Sequence, residues 1–334
     1  MGRLGVIGGG AFGTAMACVV RRDGHEVTIW VREPEVAAAI NRDAANPSFL
    51  PGVRLVPGIV ATTDFARVAD GADFLVLAPP AQHMRAVTSE LRPFLKEGTP
   101  VVSCSKGIER GTHAFMAQVI AETLPTARIA VLSGPSFANE IAVDLPTGVT
   151  LACADLELGE RLAHAIGTPR FRTYLSDDVI GAQIGGVLKN VLAIAGGIVV
   201  AKRLGNNARA TLVARGLAEM ARLGSALGAR VETFMGLAGI GDLDLSCNSP
   251  HSRNMSLGVA LGEGRKVNEV LGERITVHEG VHSAEGVAAL ARMHALDMPI
   301  SLAVDQVLNH GADVDQAIAQ VLAHPYGFDR IIER

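Results

Sequence analysis

The apolar run Leu4-Gly5-Val6-Ile7 ends in Gly8-Gly9-Gly10-Ala11-Phe12-Gly13, and an amphipathic helical pattern over Phe12–Arg22 follows at once. A Gly-x-Gly-x-x-Gly pattern is informative only where it closes a strand and opens a helix, and both flanks are present here. In that setting Gly8 permits the tight turn, Gly10 lets the backbone approach a pyrophosphate, and Gly13 brings helix against strand. The helix N-terminus then favours an anion. The opening therefore predicts a strand–turn–helix unit that cradles the phosphates of a dinucleotide. An ordinary glycine-rich turn is the competing reading.

The segments that follow extend the pattern. Val27–Trp30, Phe74–Ala78, Pro100–Cys104, Ile129–Leu132 and Gly148–Ala152 are apolar runs of strand length. Helical patterns occupy Gln82–Leu95, Thr112–Leu124 and Leu156–Ile166. Strands alternating with helices predict a Rossmann-like α/β domain, a doubly wound and mostly parallel sheet covered on both faces. After Ser176 the strand signals fade, and Asp178–Arg203, Ala208–Leu227, Ser283–Leu296, Ile300–Asn309 and Val314–Ala323 read as helices. Pro299 and Asp313 suit the starts of the last two. With 334 residues, 49% of them hydrophobic, two cores are affordable. We expect a dinucleotide-binding domain over 1–176 and an all-helical substrate domain over 177–334.

Charge and cysteine usage narrow the partners. Thirty basic against 34 acidic residues leave a net charge of −4, with no basic block able to follow a phosphate backbone, so nucleic acid is not expected. The run Val191–Ala201 falls short of the roughly 20 residues of a membrane helix, so no membrane insertion is expected. Cys18, Cys104, Cys153 and Cys247 are scattered, and no metal set emerges from the histidines. A soluble, reduced, cytoplasmic protein is the expectation.

Several positions carry chemistry. Arg32 and Glu33 follow the second strand, where an acid would hold the 2′-hydroxyl of NAD and an arginine the 2′-phosphate of NADP. Arg32 comes first, which favours NADP and leaves NAD open. Only five lysines occur, and Lys106 stands directly after a strand's carboxyl end, the edge where open α/β sheets bind ligands. Gly134 and Ser136 follow the next strand and offer backbone and hydroxyl groups at the same edge; a turn capping a helix would use them equally well. Lys189 and Asn190 interrupt an apolar helix, where an ammonium must snorkel, pair or lose its proton. Gly185 and Gly186, one turn earlier, are expected to leave room for a ligand. Asp242 could orient a lysine, and Ser252-Arg253-Asn254 offers the donors that grip a small phosphate.

Taken in order, GGGAFGTA, SKGIE, GPSFANEIA with PTGVT, GGVLKNVLAIAGG, GLAGIGDLDLSC, SPHSRN and VHEGVHSA closely resemble the bacterial NAD(P)-dependent sn-glycerol-3-phosphate dehydrogenases over nearly the whole chain. The resemblance implies that Ala11, Phe12, Arg32, Lys106, Ala138, Arg253, Val277 and Glu279, with the turn glycines Gly8, Gly10 and Gly13, line an NAD(H) or NADP(H) cofactor. It also implies that Lys106, Gly134, Ser136, Lys189, Asn190, Asp242, Ser252, Arg253 and Asn254 contact the substrate. Lys189 would take the proton, with Lys106 and Asp242 beside it in the catalytic set. Phe12 stands where tryptophan is common, and Pro79-Pro80-Ala81 replaces a more usual Pro-Ser pair. The partners expected are glycerol 3-phosphate or dihydroxyacetone phosphate and, as a homodimer, a second copy of the chain. The competing readings are a related dehydrogenase, such as a ketopantoate reductase or a 6-phosphogluconate-like enzyme, and a non-catalytic dinucleotide sensor. A sensor would have no use for Lys189.

Overall fold

The computed structural model describes residues 2–272 and 279–325. The chain forms two compact units, Met1–Ser105 with Met116–Val179, and Lys106–Phe115 with Ile180–Arg334.

The first unit opens with β1 (Arg3–Ile7), α1 (Ala11–Arg22), β2 (Glu26–Trp30) and α2 (Pro34–Asp43). A short hairpin of β3 (Ala45–Asn46) and β4 (Leu50–Arg54) precedes β5 (Ile59–Thr62), α3 (Phe65–Ala69) and β6 (Phe74–Leu77). Then come α4 (Met84–Leu91), β7 (Pro100–Ser103), α5 (Met116–Thr123), β8 (Arg128–Ser133), α6 (Ala138–Ala142), β9 (Thr147–Ala152), α7 (Leu156–Ile166) and β10 (Phe171–Ser176). The eight-stranded sheet runs β10-β9-β8-β7-β6-β1-β2-β5. Every neighbouring pair in it is parallel except β8 with β9. All four residues of β6 and of β7 are buried, as expected of strands covered on both faces. Strand order reverses at β1, which pairs with β2 on one side and β6 on the other. The crest of such a switch point is where open α/β sheets take ligands.

Four strands were not legible beforehand, the β3–β4 hairpin and two strands of the large sheet, β5 and β10. β5 is only four residues long, and β10, at the sheet's edge, carries the polar side chains of Arg172, Thr173 and Ser176 and exposes Tyr174 and Leu175. A four-residue run is too short to stand out, and the exposed side chains of β10 break the continuous apolar run of central strands. The expected helix Thr112–Leu124 begins only at Met116. Before it, His113 has a left-handed φ of 58° and Glu109 N–H donates to the Ala114 carbonyl in a reversal.

The second unit is helical: α8 (Val179–Ala201), α9 (Gly205–Ala226), α10 (Val231–Phe234), a π turn (Leu237–Gly241), α11 (Asp242–Asn248), α12 (Arg253–Gly262), α13 (Val267–Gly272), α14 (Glu279–Met293), α15 (Pro299–His310) and α16 (Val314–Leu322). The segment Lys106–Phe115 belongs to this unit, with Ile108 and Phe115 in its core.

The run that looked too short to span a membrane lies inside α8, which has 23 residues and a stretch of mean hydropathy 1.9. Length and composition alone would let it span. Burial decides otherwise, because 78% of that stretch is enclosed by protein, which makes it a core helix. Glycines let other backbone lie directly against it. A Cβ at Gly197 would overlap the Met255 carbonyl oxygen, and one at Gly258 the Ile194 carbonyl oxygen, so α8 and α12 cross with main chains touching.

Glu219 on α9 fixes α15. Its buried carboxylate accepts from Ile300 N–H at 2.6 Å, Ser301 N–H at 3.0 Å and the Ser301 hydroxyl at 2.6 Å, satisfying donors at that helix's N-terminus. Burial pushes the carboxyl up to about 7, and the three donors hold it from rising further. Because the folded group keeps its proton where the unfolded one has lost it, its contribution is full below about pH 4.5 and declines as pH climbs to about 7. Urea unfolding at pH 5, 6, 7 and 8 should therefore show the wild type's advantage over Glu219→Gln shrinking, at about 1.4 kcal/mol per pH unit where steepest. A constant difference across that range would contradict it.

Candidate active site

The glycine turn after β1 has the three-part geometry the sequence called for. Gly8 sits at φ 119°, its N–H donating to the Trp30 carbonyl at 3.0 Å, and a Cβ there would press on the Ala78 carbonyl. A Cβ at Gly13 would overlap the Gly8 carbonyl oxygen, so α1 packs directly on the turn. At Gly10 a Cβ would meet nothing within 4 Å. Gly10 is also the N-cap of α1, and no side chain caps that end. Close packing on two sides and open space at an uncapped helix N-terminus fit a bound pyrophosphate. Ala11 and Phe12, the first two residues of α1, are half-buried beside the opening.

Arg32 lies just past the end of β2 with its side chain 73% exposed, where Nε and a terminal nitrogen contact Glu33 Oε1 at 2.9 and 2.6 Å. The residues that made the cofactor signal mixed are thus paired with each other. Past β6, the Ser105 hydroxyl donates to the Pro79 carbonyl at 2.5 Å, which ties the Pro79-Pro80-Ala81 loop to the end of β7. Gly134 has φ 131°, and the Ser136 hydroxyl donates to its carbonyl at 2.7 Å, the local turn that was the alternative reading of this segment. Ala138 begins α6.

In the helical unit, Asp242 stands at the start of α11, just after the π turn. Lys106 Nζ reaches Asp242 Oδ2 at 2.5 Å, and Lys189 Nζ lies 3.3 Å from Oδ1. Side-chain exposure is 1% for Asp242, 15% for Lys106 and 16% for Lys189, so the three charges are largely withdrawn from water. Lys189 Nζ also contacts the Ser246 hydroxyl at 3.1 Å. Burial lowers the Lys189 ammonium from its ordinary range, Asp242 opposes that, and the positive charges of Lys106 and Arg253 add to the lowering. Asn190 donates to the Lys106 carbonyl at 3.0 Å and accepts from Asn254 Nδ2 at 2.9 Å, so α8 and α12 fix the lysine-bearing segment through its backbone.

The structure therefore gathers Lys106, Lys189, Asn190, Asp242 and Asn254. Ser252 is turned to another use, since its buried hydroxyl accepts from Met255 N–H at 3.3 Å and caps α12. Arg253 is exposed at the first position of that helix. Glu279 opens α14, and the neighbouring Gly280 lies so close to the Asn254 amide that a Cβ would crowd it. Val277 lies outside the described residues.

One expectation fails here. Gly185 leaves no room for a ligand, because the Ala238 carbonyl oxygen fills the place of its Cβ. The glycine lets the π turn before Asp242 lie against α8, which brings that carboxylate to Lys189. Ser246 was missed by sequence reasoning. Its spacing of four from Asp242 puts both on one helix face, a signal that becomes visible only once α11 is known. Among the described residues, no group of three His, Cys, Asp or Glu side chains is placed to hold a metal.

Comparison with known proteins agrees with this architecture. The family model for the N-terminus of NAD-dependent glycerol-3-phosphate dehydrogenase matches residues 3–159, and that for its C-terminus residues 178–319. A glycerol-3-phosphate dehydrogenase (NAD(P)+) of Parvibaculum lavamentivorans is 54% identical over 324 residues, 97% of each chain. One from Caulobacter vibrioides is 53% identical over 323 residues, again 97% of each. The crystal structure of a glycerol-3-phosphate dehydrogenase from Coxiella burnetii superposes with a TM-score of 0.92 at 35% identity, covering 97% of this chain and 99% of that one. A ketopantoate reductase from Ralstonia eutropha, at 16% identity and TM-score 0.61, shares the fold alone. The chain belongs to the NAD-dependent glycerol-3-phosphate dehydrogenase family.

Removing the shared carboxylate tests the cluster directly. Asp242→Asn keeps the shape and leaves two shielded ammonium groups facing each other without a counter-charge. Urea unfolding should show a loss of about 3–5 kcal/mol, the range for breaking a buried ion pair. A loss below about 0.5 kcal/mol would mean that the lysines do not depend on Asp242.

Proposed function

We propose that the chain interconverts sn-glycerol 3-phosphate and dihydroxyacetone phosphate with NAD(P), and so supplies glycerol 3-phosphate for phospholipid synthesis. The observation that carries this reading is Lys189, held between Asp242 and Ser246 with its ammonium destabilised. A neutral lysine amine has two N–H groups and one lone pair. Asp242 Oδ1 and Ser246 Oγ are two acceptors for those hydrogens, which leaves the lone pair for a substrate hydroxyl proton.

Bound NAD(P) supplies the acceptor or donor of the hydride exchanged with substrate C2. In the oxidative direction Lys189 Nζ takes the C2 hydroxyl proton as the C–H bond breaks, and in the reductive direction it returns that proton to the carbonyl oxygen. An ordinary lysine holds its proton too tightly for this at neutral pH, so the lowering by burial, Lys106 and Arg253 serves the chemistry. Lys106 also sets a positive charge beside the substrate oxygen. Arg253, with Asn254 behind it, anchors the phosphate, and Gly134 and Ser136 add contacts to the substrate. The turn of Gly8, Gly10 and Gly13, with Ala11, Phe12, Arg32, Ala138, Val277 and Glu279, holds the cofactor, and Arg32 favours NADP by reaching a 2′-phosphate. In this reading residues 1–176 supply most of the dinucleotide contacts and 177–334 most of the substrate contacts, in a cytoplasmic homodimer that engages neither nucleic acid nor membrane.

Oxidation of NADH and NADPH by dihydroxyacetone phosphate tests the activity and the cofactor preference together; no turnover with either would reject the reading. Lys189→Ala, purified and folded, should lower kcat by about 10²–10⁴ while NADPH binding survives. Retention of more than about a tenth of wild-type kcat would remove Lys189 from its role.

The phosphate anchor has a sharper test. Arg253→Ala should cost about 2–4 kcal/mol in kcat/KM with dihydroxyacetone phosphate, or about 30- to 1000-fold. With dihydroxyacetone, which lacks the phosphate, the same substitution should change little. An equal loss on both substrates would place the anchor elsewhere.

A further inference from the structure

The hairpin of β3 and β4 forms a two-stranded sheet of its own, separate from the large one. Its Asn46 is fully buried. The Nδ2 group donates to the Gly9 carbonyl at 2.8 Å and to the Thr14 hydroxyl at 2.8 Å, while Oδ1 accepts from Phe49 N–H at 3.2 Å. The Thr14 hydroxyl in turn donates to the same Gly9 carbonyl at 3.3 Å. A side chain distant in sequence and the first turn of α1 thus converge on a single peptide oxygen inside the glycine turn.

That oxygen belongs to the Gly9–Gly10 peptide, which is trans. In a trans peptide the carbonyl and the following N–H point in opposite directions. Drawing the Gly9 carbonyl to Asn46 and Thr14 therefore aims the Gly10 N–H the opposite way, and a Cβ on Gly10 itself would meet nothing within 4 Å. Glycines on both sides of this bond would otherwise let the peptide rotate with little steric resistance. A rotated peptide would present a carbonyl oxygen, and hence a partial negative charge, to an incoming phosphate.

We propose that Asn46 is a positioning residue for the dinucleotide: through the Gly9 carbonyl it locks the Gly9–Gly10 peptide with its N–H toward the pyrophosphate. The proposal rests on the reading of the glycine turn as the cofactor cradle. Asn46 touches neither cofactor nor substrate in this arrangement. Its effect is on cofactor affinity, because an orientation set before binding need not be selected during it.

The test is NADPH affinity by fluorescence titration, with urea unfolding on each variant to establish that it is folded. Asn46→Ala should weaken NADPH binding at least tenfold, and kcat at saturating NADPH should stay within about threefold of wild type. Asn46→Asp keeps the shape and the acceptor for Phe49 but sets a carboxylate against the Gly9 carbonyl, so binding at pH 8 should be weaker still. Lowering the pH to about 5.5 should restore part of it relative to wild type at the same pH, because a protonated Asp can donate again. Thr14→Val, which deletes only the hydroxyl leg at nearly constant volume, should weaken binding about threefold and serves if the Asn46 variants do not fold. NADPH affinity within twofold of wild type in a folded Asn46 variant, or in Thr14→Val if neither Asn46 variant folds, overturns the proposal; so does an Asn46→Asp loss that does not respond to pH. Gly10→Asp separates this from failure of the underlying reading. If that variant binds NADPH as wild type does, the dinucleotide does not lie on this turn at all.

Discussion

Two ammonium groups share the carboxylate of Asp242, and much of the helical unit is arranged to make that possible. A carboxylate with 1% exposure and no counter-charge would cost several kcal/mol, and lysines left facing each other would turn outward. Together the three groups stay in place. Asp242 reaches its position because Gly185 lets the π turn press on α8, and Lys106 is steadied through its own carbonyl by Asn190 and then Asn254. Substituting any of these small or amide-bearing residues would move a charge rather than merely loosen a contact.

The same economy explains why α8 is so apolar yet carries Lys189 and Asn190. Its main chain touches that of α12 at Gly197 and Gly258, and most of its residues are buried. Lys189 is admitted where Asp242 and Ser246 offer acceptors, and Asn190 where the Lys106 carbonyl and the Asn254 amide satisfy both of its ends. The large majority of buried polar groups in proteins have such partners. Their presence in an otherwise hydrophobic helix marks the place where the fold gives up packing for chemistry.

Much of this could be read in the sequence. The glycine turn, the central strands and the long helices announce themselves through local signals: apolar runs, helical spacing, Pro299 at one helix start and Asp313 capping another. Lys189 stood out because it breaks a pattern. The edge strands β5 and β10 did not: β5 is only four residues long, and in β10 exposure erases the apolar contrast on which such reading depends. Ser246, the structural use of Gly185 and the clamp on Gly9 were hidden for a different reason. Each depends on a contact between segments far apart in sequence, about 40 to 60 residues in these cases, and no local pattern records which backbone a glycine or an asparagine will meet.

The central claim is that the surroundings of Lys189 favour its neutral form more than those of an ordinary lysine do. With five lysines in the chain, NMR titration of protein labelled at lysine Cε can follow each one, and Lys189→Arg assigns the signal. The account predicts that the Lys189 signal titrates clearly below the ordinary value of 10.5. A Lys189 that titrates at that ordinary value, or above it, would show that Asp242 outweighs burial and the neighbouring cations, and the amine could not then serve as the proton acceptor near neutral pH.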